Sequence, residues 1–225
     1  MKRKLFSMVQ NLLMKQGYCL TYDMKYLGRE RSIDISDRMD IVRISSLELV
    51  AYEIHSKNIE GNVAELGVYR GHFAEKINQI FSDRKLYLFD TFEGFDIRDV
   101  TKEKMYGFSN GRQDYSKTSV DFVLSKLKYP QNCIVRKGYF PESVSGLNDI
   151  FSFVSIDVDL YKPMYDGLDY FYPRLARGGY IFIHDYNNSR YPGVRVAVRN
   201  YCSENDIGYF PLCDVSGSVI ISKQN

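Results

Sequence analysis

The chain holds 225 residues, with 30 Lys and Arg against 28 Asp and Glu, a net charge of +2. That length suits one sizeable α/β domain with a full core. Charge so close to balance, with no basic cluster interleaved with aromatics, excludes the footprint of a nucleic-acid binder. Cys19, Cys133, Cys202 and Cys213 are scattered and form no C-x-x-C pair. This argues against a zinc knuckle or redox motif and for reduced thiols in a cytoplasmic protein.

The start, Met1-Lys2-Arg3-Lys4, is basic, but the apolar segment after it is broken by Ser7, Gln10 and Asn11. It is a poor signal peptide and too short for a membrane span. Leu5, Val9, Leu12 and Leu13 share one face of an amphipathic helix, expected to pack on its own domain or on a second subunit. A second helix is predicted over residues 36–57. Ser36 or Asp37 is its N-cap, and Ile41, Ile44, Leu47, Ala51 and Ile54 follow helical spacing. Residues 1–60 are therefore read as a helical extension for capping or oligomerisation, and residues 61–225 as the main domain.

From residue 62 strands and helices alternate. Strands are predicted at 62–66, 85–90, 133–137, 151–157 and 180–183, with a closing antiparallel pair at 209–212 and 218–222. Helices are predicted at 71–81, 116–127, 161–175 and 193–204, the third ended by Arg177-Gly178-Gly179. A polar loop over residues 96–114, with Arg98 and Arg112, is a candidate lid. The alternation specifies a Rossmann-like, mostly parallel seven-stranded sheet with helices on both faces. Ligands of such sheets sit outside the carboxyl ends of the strands.

Four acids stand at, or within two residues of, the ends of predicted strands: Glu65, Asp90, Asp157 and Asp185. After Glu65 comes Gly67-Val68-Tyr69-Arg70-Gly71, a turn into a helix start. Gly67 is expected to let backbone lie against a ligand, and Gly71 to let helix and strand pack closely. Asp90, 25 residues past Glu65, stands near the spacing at which an acid takes ribose hydroxyls; the bland reading is a cap on the loop Thr91-Phe92-Glu93-Gly94. Asp157 and Asp159 point one way if their strand continues. Oxygen ligands from adjacent strand ends suit a hard divalent cation such as Mg²⁺. His184 is read as a ligand, an acid–base group or a packed histidine, and Asp185-Tyr186-Asn187-Asn188 also reads as a turn. His72 touches either cofactor or packing, and His55 is structural.

Four blocks resemble the macrocin O-methyltransferase (TylF/MycF-like) family: Val63-Ala64-Glu65-Leu66-Gly67-Val68-Tyr69-Arg70-Gly71; Leu88-Phe89-Asp90-Thr91-Phe92-Glu93-Gly94-Phe95; Ser155-Ile156-Asp157-Val158-Asp159-Leu160-Tyr161; and residues 172–180 running into His184-Asp185-Tyr186 and Pro192-Gly193-Val194. The resemblance implies a class I methyltransferase domain binding S-adenosylmethionine. Glu65 and Gly67 border its methionine part, with Tyr69, Gly71, Thr91 and Phe92 beside them. Asp90 takes the ribose, Gly138-Tyr139-Phe140 the adenine side, and Asp157 also borders the cofactor. Asp157 and Asp185 are implied metal ligands and Asp159 the base. The family usually has Asp-Asp-Tyr where this chain has His184-Asp185-Tyr186. That change replaces one oxygen ligand by an imidazole or removes it, and an imidazole favours transition metals over Mg²⁺. The expected activity is metal-assisted methylation of a hydroxyl on a sugar, nucleotide sugar or glycosylated natural product, by a homodimer or higher oligomer. The rival readings are a non-catalytic binding protein on the same fold and a Rossmann-type oxidoreductase. The missing third glycine argues against the second.

Overall fold

The computed structural model describes residues 2–16, 18, 28–33 and 40–224. The chain forms two compact units, residues 1–34 and residues 35–225. Helix α1 (Lys2–Met14) lies in the first, where Leu5, Met8 and Leu12 are exposed. Helix α2 (Ile41–Ser56) belongs to the second, so the expected 1–60 extension is divided between the units. The predicted N-cap, Ser36 or Asp37, lies outside the described residues. The observed cap is Asp40, whose side chain accepts from the amides of Val42 and Arg43.

The second unit is a seven-stranded sheet. Its strands are β1 (Asn62–Leu66), β2 (Leu86–Asp90), β3 (Cys133–Lys137), β4 (Phe151–Ile156), β5 (Leu175–Ile183), β6 (Phe210–Pro211) and β7 (Val219–Ser222). They lie in the order β3-β2-β1-β4-β5-β7-β6, the first five parallel and β7 antiparallel to both neighbours. The chain leaves β1 toward β2 and β3, then returns to β1's other side as β4. The switch point is thus between β1 and β4, where such sheets hold ligands.

β4 reads Phe-Ser-Phe-Val-Ser-Ile and is buried throughout, as a central parallel strand covered on both faces must be. α6 (Tyr161–Arg174) and α7 (Pro192–Glu204) pack together over one face, where Phe89, Phe140, Phe151 and Phe171 interlock. α2 and α3 (His72–Ile80) cover the other. Each fully buried Phe contributes about 2–3 kcal/mol of transfer free energy, and the chain, lacking Trp, builds both layers from them.

Three expectations change here. The 96–114 segment is not one loop: Asp96 caps a helix, α4 (Ile97–Met105), which buries Asp99, Val100 and Glu103. Nor do Arg177-Gly178-Gly179 stop α6. The helix ends at Arg174, after Pro173, and those residues form an irregularity inside β5, whose pairing moves from Phe151↔Leu175 to Phe153↔Tyr180. The predicted helix at 116–127 is the short α5 (Val120–Leu124), capped by Ser119.

Candidate active site

A cavity of about 800 Å³ opens over the carboxyl ends of the parallel strands. Its wall runs from Asp157, Asp159, His184 and Asp185 through Glu65, Gly67 and Tyr69 to Asp90, Thr91 and Gly138-Tyr139-Phe140. Thus the strand-end acids, drawn from separate stretches of chain, converge on one space. Gly71 and Phe92 lie outside that wall. Gly71 is the left-handed N-cap of α3 (φ 72°), and a Cβ there would come within 2.8 Å of Val123 on α5, so it serves helix packing rather than a close approach of α3 to a strand. The Phe92 side chain is buried, and only its amide serves the site, donating to Asp90 Oδ1 at 2.6 Å.

Gly67 lines the cavity, but its glycine requirement comes from the sheet. With φ at +87°, a Cβ would lie 1.9 Å from the carbonyl oxygen of Asp157. The two strand ends touch at the switch point. Asp90 holds the turn that follows: Oδ2 accepts from the amides of Val68 (2.7 Å) and Tyr69 (2.8 Å). With Oδ1 taking Phe92 N, about one of the four lone-pair sites on this carboxylate remains for a ligand. Because Asp90 is also the turn's brace, a ribose bound as the sequence leads one to expect would find about one acceptor site there.

Glu65 is 2% exposed, and its Oε2 has no hydrogen-bond partner. Burial, reinforced by the negative charges of Asp157 and Asp90 and opposed by Arg43, pushes its pKa well above the carboxylate range.

The β4–β5 end is the most charged part of the wall. His184 Nδ1 lies 3.1 Å from Asp157 Oδ1 and 3.0 Å from Asp185 Oδ2, yet it makes a well-directed hydrogen bond to neither. Burial works against an imidazolium, but Asp157 and Asp185 outweigh it and push the pKa up to about 10. Burial likewise opposes the charge on Asp157, and His184 and Arg43 overcome it, holding Asp157 below the ordinary carboxylate range. Asp159 goes the other way: burial first, then the hydrogen bond with Asp185, raises it well above that range. Asp159 (φ 61°) and Asp185 (φ 59°) are both in the left-handed region, where a non-glycine residue is strained. Such strain persists where surrounding structure enforces it, and it clusters at functional sites.

A sequence model of the macrocin-O-methyltransferase (TylF) family matches residues 36–221. The chain belongs to this family. Macrocin O-methyltransferase relatives include an 8-demethyl-8-(2,3-dimethoxy-α-L-rhamnosyl)-tetracenomycin-C 4′-O-methyltransferase of Streptomyces olivaceus. It is 24% identical over 209 residues, covering 87% of this chain and 78% of that protein. A mycinamicin III 3″-O-methyltransferase of Micromonospora griseorubida is 28% identical over 182 residues, covering 73% and 69%. Among solved structures the O-methyltransferase NovP matches with a TM-score of 0.71 at 22% identity, covering 82% of this chain and 81% of that one. The oxidoreductase and non-catalytic readings find no support in these matches.

In this member of the macrocin O-methyltransferase family the wall also contains residues that sequence patterns did not single out. Arg43 of α2 is 7% exposed and reaches Asp157 Oδ2 (3.1 Å) and Ser155 Oγ (3.2 Å), with its guanidinium 3.9 Å from the Phe73 ring centre. One signal was present: a cation on the apolar face of the predicted helix, one residue before Ile44. Tyr115 lines the cavity and shares a 2.8 Å hydroxyl contact with Tyr191. Burial and Asp159 push Tyr191 up to about 12. Nothing in the local sequence marked this pair, because tertiary packing alone joins them. Arg98, read as available to an anionic acceptor, is instead held by Asp96 (2.8 Å) and Glu142 (2.7 Å) and lies 3.4 Å from the Tyr139 ring centre. Arg112 is exposed, His72 lines the cavity, and His55 lies 3.3 Å from Asp83, away from the wall.

The residues present suit S-adenosylmethionine and a divalent cation, the two groups that the resemblance implies. Orphaned Glu65 Oε2 calls for a donor, such as the ammonium of a methionine moiety. Asp157, His184 and Asp185 each offer one ligand atom, all within 4.8 Å of one another. Cis ligands about 2.1 Å from an octahedral cation lie about 3.0 Å apart, close to the two distances at Nδ1. A cation bound there would displace the proton that the two carboxylates favour on His184. Among the described residues no helix is long and apolar enough to cross a membrane.

Proposed function

We propose that this chain transfers the methyl group of S-adenosylmethionine to a sugar hydroxyl on a nucleotide sugar or a glycosylated natural product, with a divalent cation at Asp157, His184 and Asp185. The single observation that carries the reading is Asp159: a buried, strained carboxylate of raised basicity, set beside that ligand set on the same cavity wall. The relatives' sugar-linked substrates support the acceptor class.

S-adenosylmethionine supplies a methyl group already activated on a sulfonium, so the alcohol is the weak partner. A bound dication supplies Lewis acidity that lowers the pKa of an alcohol. Asp159 accepts the hydroxyl proton as the carbon–oxygen bond forms. Its burial makes it a stronger base than a solvated carboxylate. Glu65 takes the methionine ammonium, Asp90 one ribose hydroxyl, and Gly138, Tyr139 and Phe140 border the adenine. Tyr69, Thr91 and Tyr115 close the wall around the reacting atoms, and Arg43 fixes Asp157. Work in a cytoplasmic setting and assembly through the exposed apolar positions of α1 complete the reading; sedimentation with and without residues 1–34 tests the assembly.

The test is methyl transfer to a panel of nucleotide sugars and glycosides, with a chelator control, beside calorimetry with S-adenosylhomocysteine. The Asp159→Asn variant should lose at least about a thousandfold in turnover while binding S-adenosylhomocysteine within a few-fold of wild type. Retained turnover would remove the base role, and a wild-type chain that binds no S-adenosylhomocysteine would remove the cofactor.

A further inference from the structure

Two acids of α4, Asp96 and Asp99, line the β3 end of the cavity beside Tyr139, and they are not equivalent. Asp96 is consumed: it caps the helix at Arg98 N (2.9 Å), and the Arg98 guanidinium closes on both its oxygens at 2.8 and 2.9 Å. Asp99 is 6% exposed and accepts one side-chain hydrogen bond, from Tyr139 Oη to Oδ1 at 3.0 Å. Its Oδ2 accepts none from the described residues, although buried carboxylates ordinarily collect several donors. Tyr139 is itself pinned under Arg98, which Asp96 and Glu142 hold in place. The first oxygen is therefore anchored, and the second remains as an acceptor for whatever fills this end of the cavity. Burial pushes the Asp99 pKa up to about 6, so the group is an ionised, acceptor-only carboxylate at pH 8.

Along the wall, the methionine end lies at β1 and β4 and the ribose end at Asp90 on β2, which leaves the base at β3. Resting on the cofactor reading above, we infer that Asp99 recognises the adenine ring by accepting a hydrogen bond from its exocyclic amino group, and so rejects 6-oxopurines. Adenine presents an N–H donor at that edge. A 6-oxopurine presents a carbonyl at that position, so two acceptors face each other, and its nearest donor, N1–H, is displaced by one ring atom from where the amino group stood. This role is distinct from Asp90, which meets the ribose, and from Gly138, which has no side chain to read an edge.

The experiment is calorimetric binding of S-adenosylhomocysteine and S-inosylhomocysteine at pH 8 to the full chain and its Asp99→Asn variant. Wild type should prefer the adenine compound on the order of tenfold to a hundredfold, as a hydrogen bond to a charged group implies. In Asp99→Asn the preference should collapse toward one, because an amide offers both a donor and an acceptor. A merely structural role for Asp99 would move both affinities together and leave their ratio unchanged. Equal wild-type affinities would overturn the inference without any variant, as would a full preference in Asp99→Asn. In both cases the cofactor reading survives, since S-adenosylhomocysteine still binds. Failure of wild type to bind either compound would overturn both.

Discussion

A methyl group at position 67 has nowhere to go. The carbonyl oxygen of Asp157 lies 1.9 Å from where it would stand, and φ of +87° is unfavourable for any side chain. Gly67→Ala should therefore cost at least about 2 kcal/mol, read as a lower urea midpoint with an unchanged slope. The sequence marked Gly67 correctly as special, but for its ligand. The neighbour that demands it arrives from β4, 90 positions further along the chain, and no local pattern contains it. His184 is the converse case, legible from sequence alone as a departure from Asp-Asp-Tyr, with its consequence set by geometry. With Nδ1 3.0–3.1 Å from two carboxylate oxygens, it would give a cation held there one nitrogen among oxygens. We expect wild type to bind Co²⁺ or Zn²⁺ well ahead of Mg²⁺, and His184→Asp to move the ratio toward Mg²⁺ by at least about tenfold, measured by calorimetry. An unchanged ratio would mean that His184 is not a ligand.

At the scale of elements, strands were the readable part. β1, β3 and β4 stand out as short apolar runs between turn residues, and their order follows from alternation with helices. α4 was not readable. Asp96-Ile97-Arg98-Asp99-Val100 looks like solvated loop because the charges that it buries, Asp99 and Glu103, have partners on distant elements. Glu103 Oε2 accepts the amide of Tyr161, the first residue of α6, at 2.9 Å, and a Cβ on Gly193 of α7 would come within 2.8 Å of Oε1. One carboxylate thus meets the starts of two helices, where it completes an open amide and complements the helix dipole. Glu103→Ala should cost about 1–2 kcal/mol. It should also speed amide exchange in α4 and the first turn of α6, with β1 and β4 unaffected. Uniform acceleration across the sheet would instead indicate a global loss of stability and refute the tether.

For the whole molecule, gathering acids along one rim has a cost that appears when the cavity is empty. Burial raises the carboxyl groups of Glu65 and Asp159 well above their usual values, and that of Asp99 from 3.8 to about 6. Between those last two values the native state holds a proton on Asp99 that the unfolded chain has released. Stability from this group is complete below about pH 3.8 and is lost as pH rises through about 6. The loss reaches about 3 kcal/mol, accumulating at roughly 1.4 kcal/mol for each pH step of one between the two values. Asparagine keeps the shape and never ionises. In metal-free protein without cofactor, Asp99→Asn should therefore match wild type near pH 4 and exceed it at pH 8, by up to about 3 kcal/mol in urea unfolding. Saturating S-adenosylhomocysteine should narrow the difference at pH 8, because the ligand stabilises each chain in proportion to the logarithm of its affinity, and wild type binds it more tightly. Coincident stability curves for the two chains from pH 4 to 8 would show that burying the Asp99 charge is not a cost of folding. A rim shaped for its ligand at the expense of the empty fold predicts the opposite: the free enzyme gains stability from removal of a charge that the bound enzyme uses.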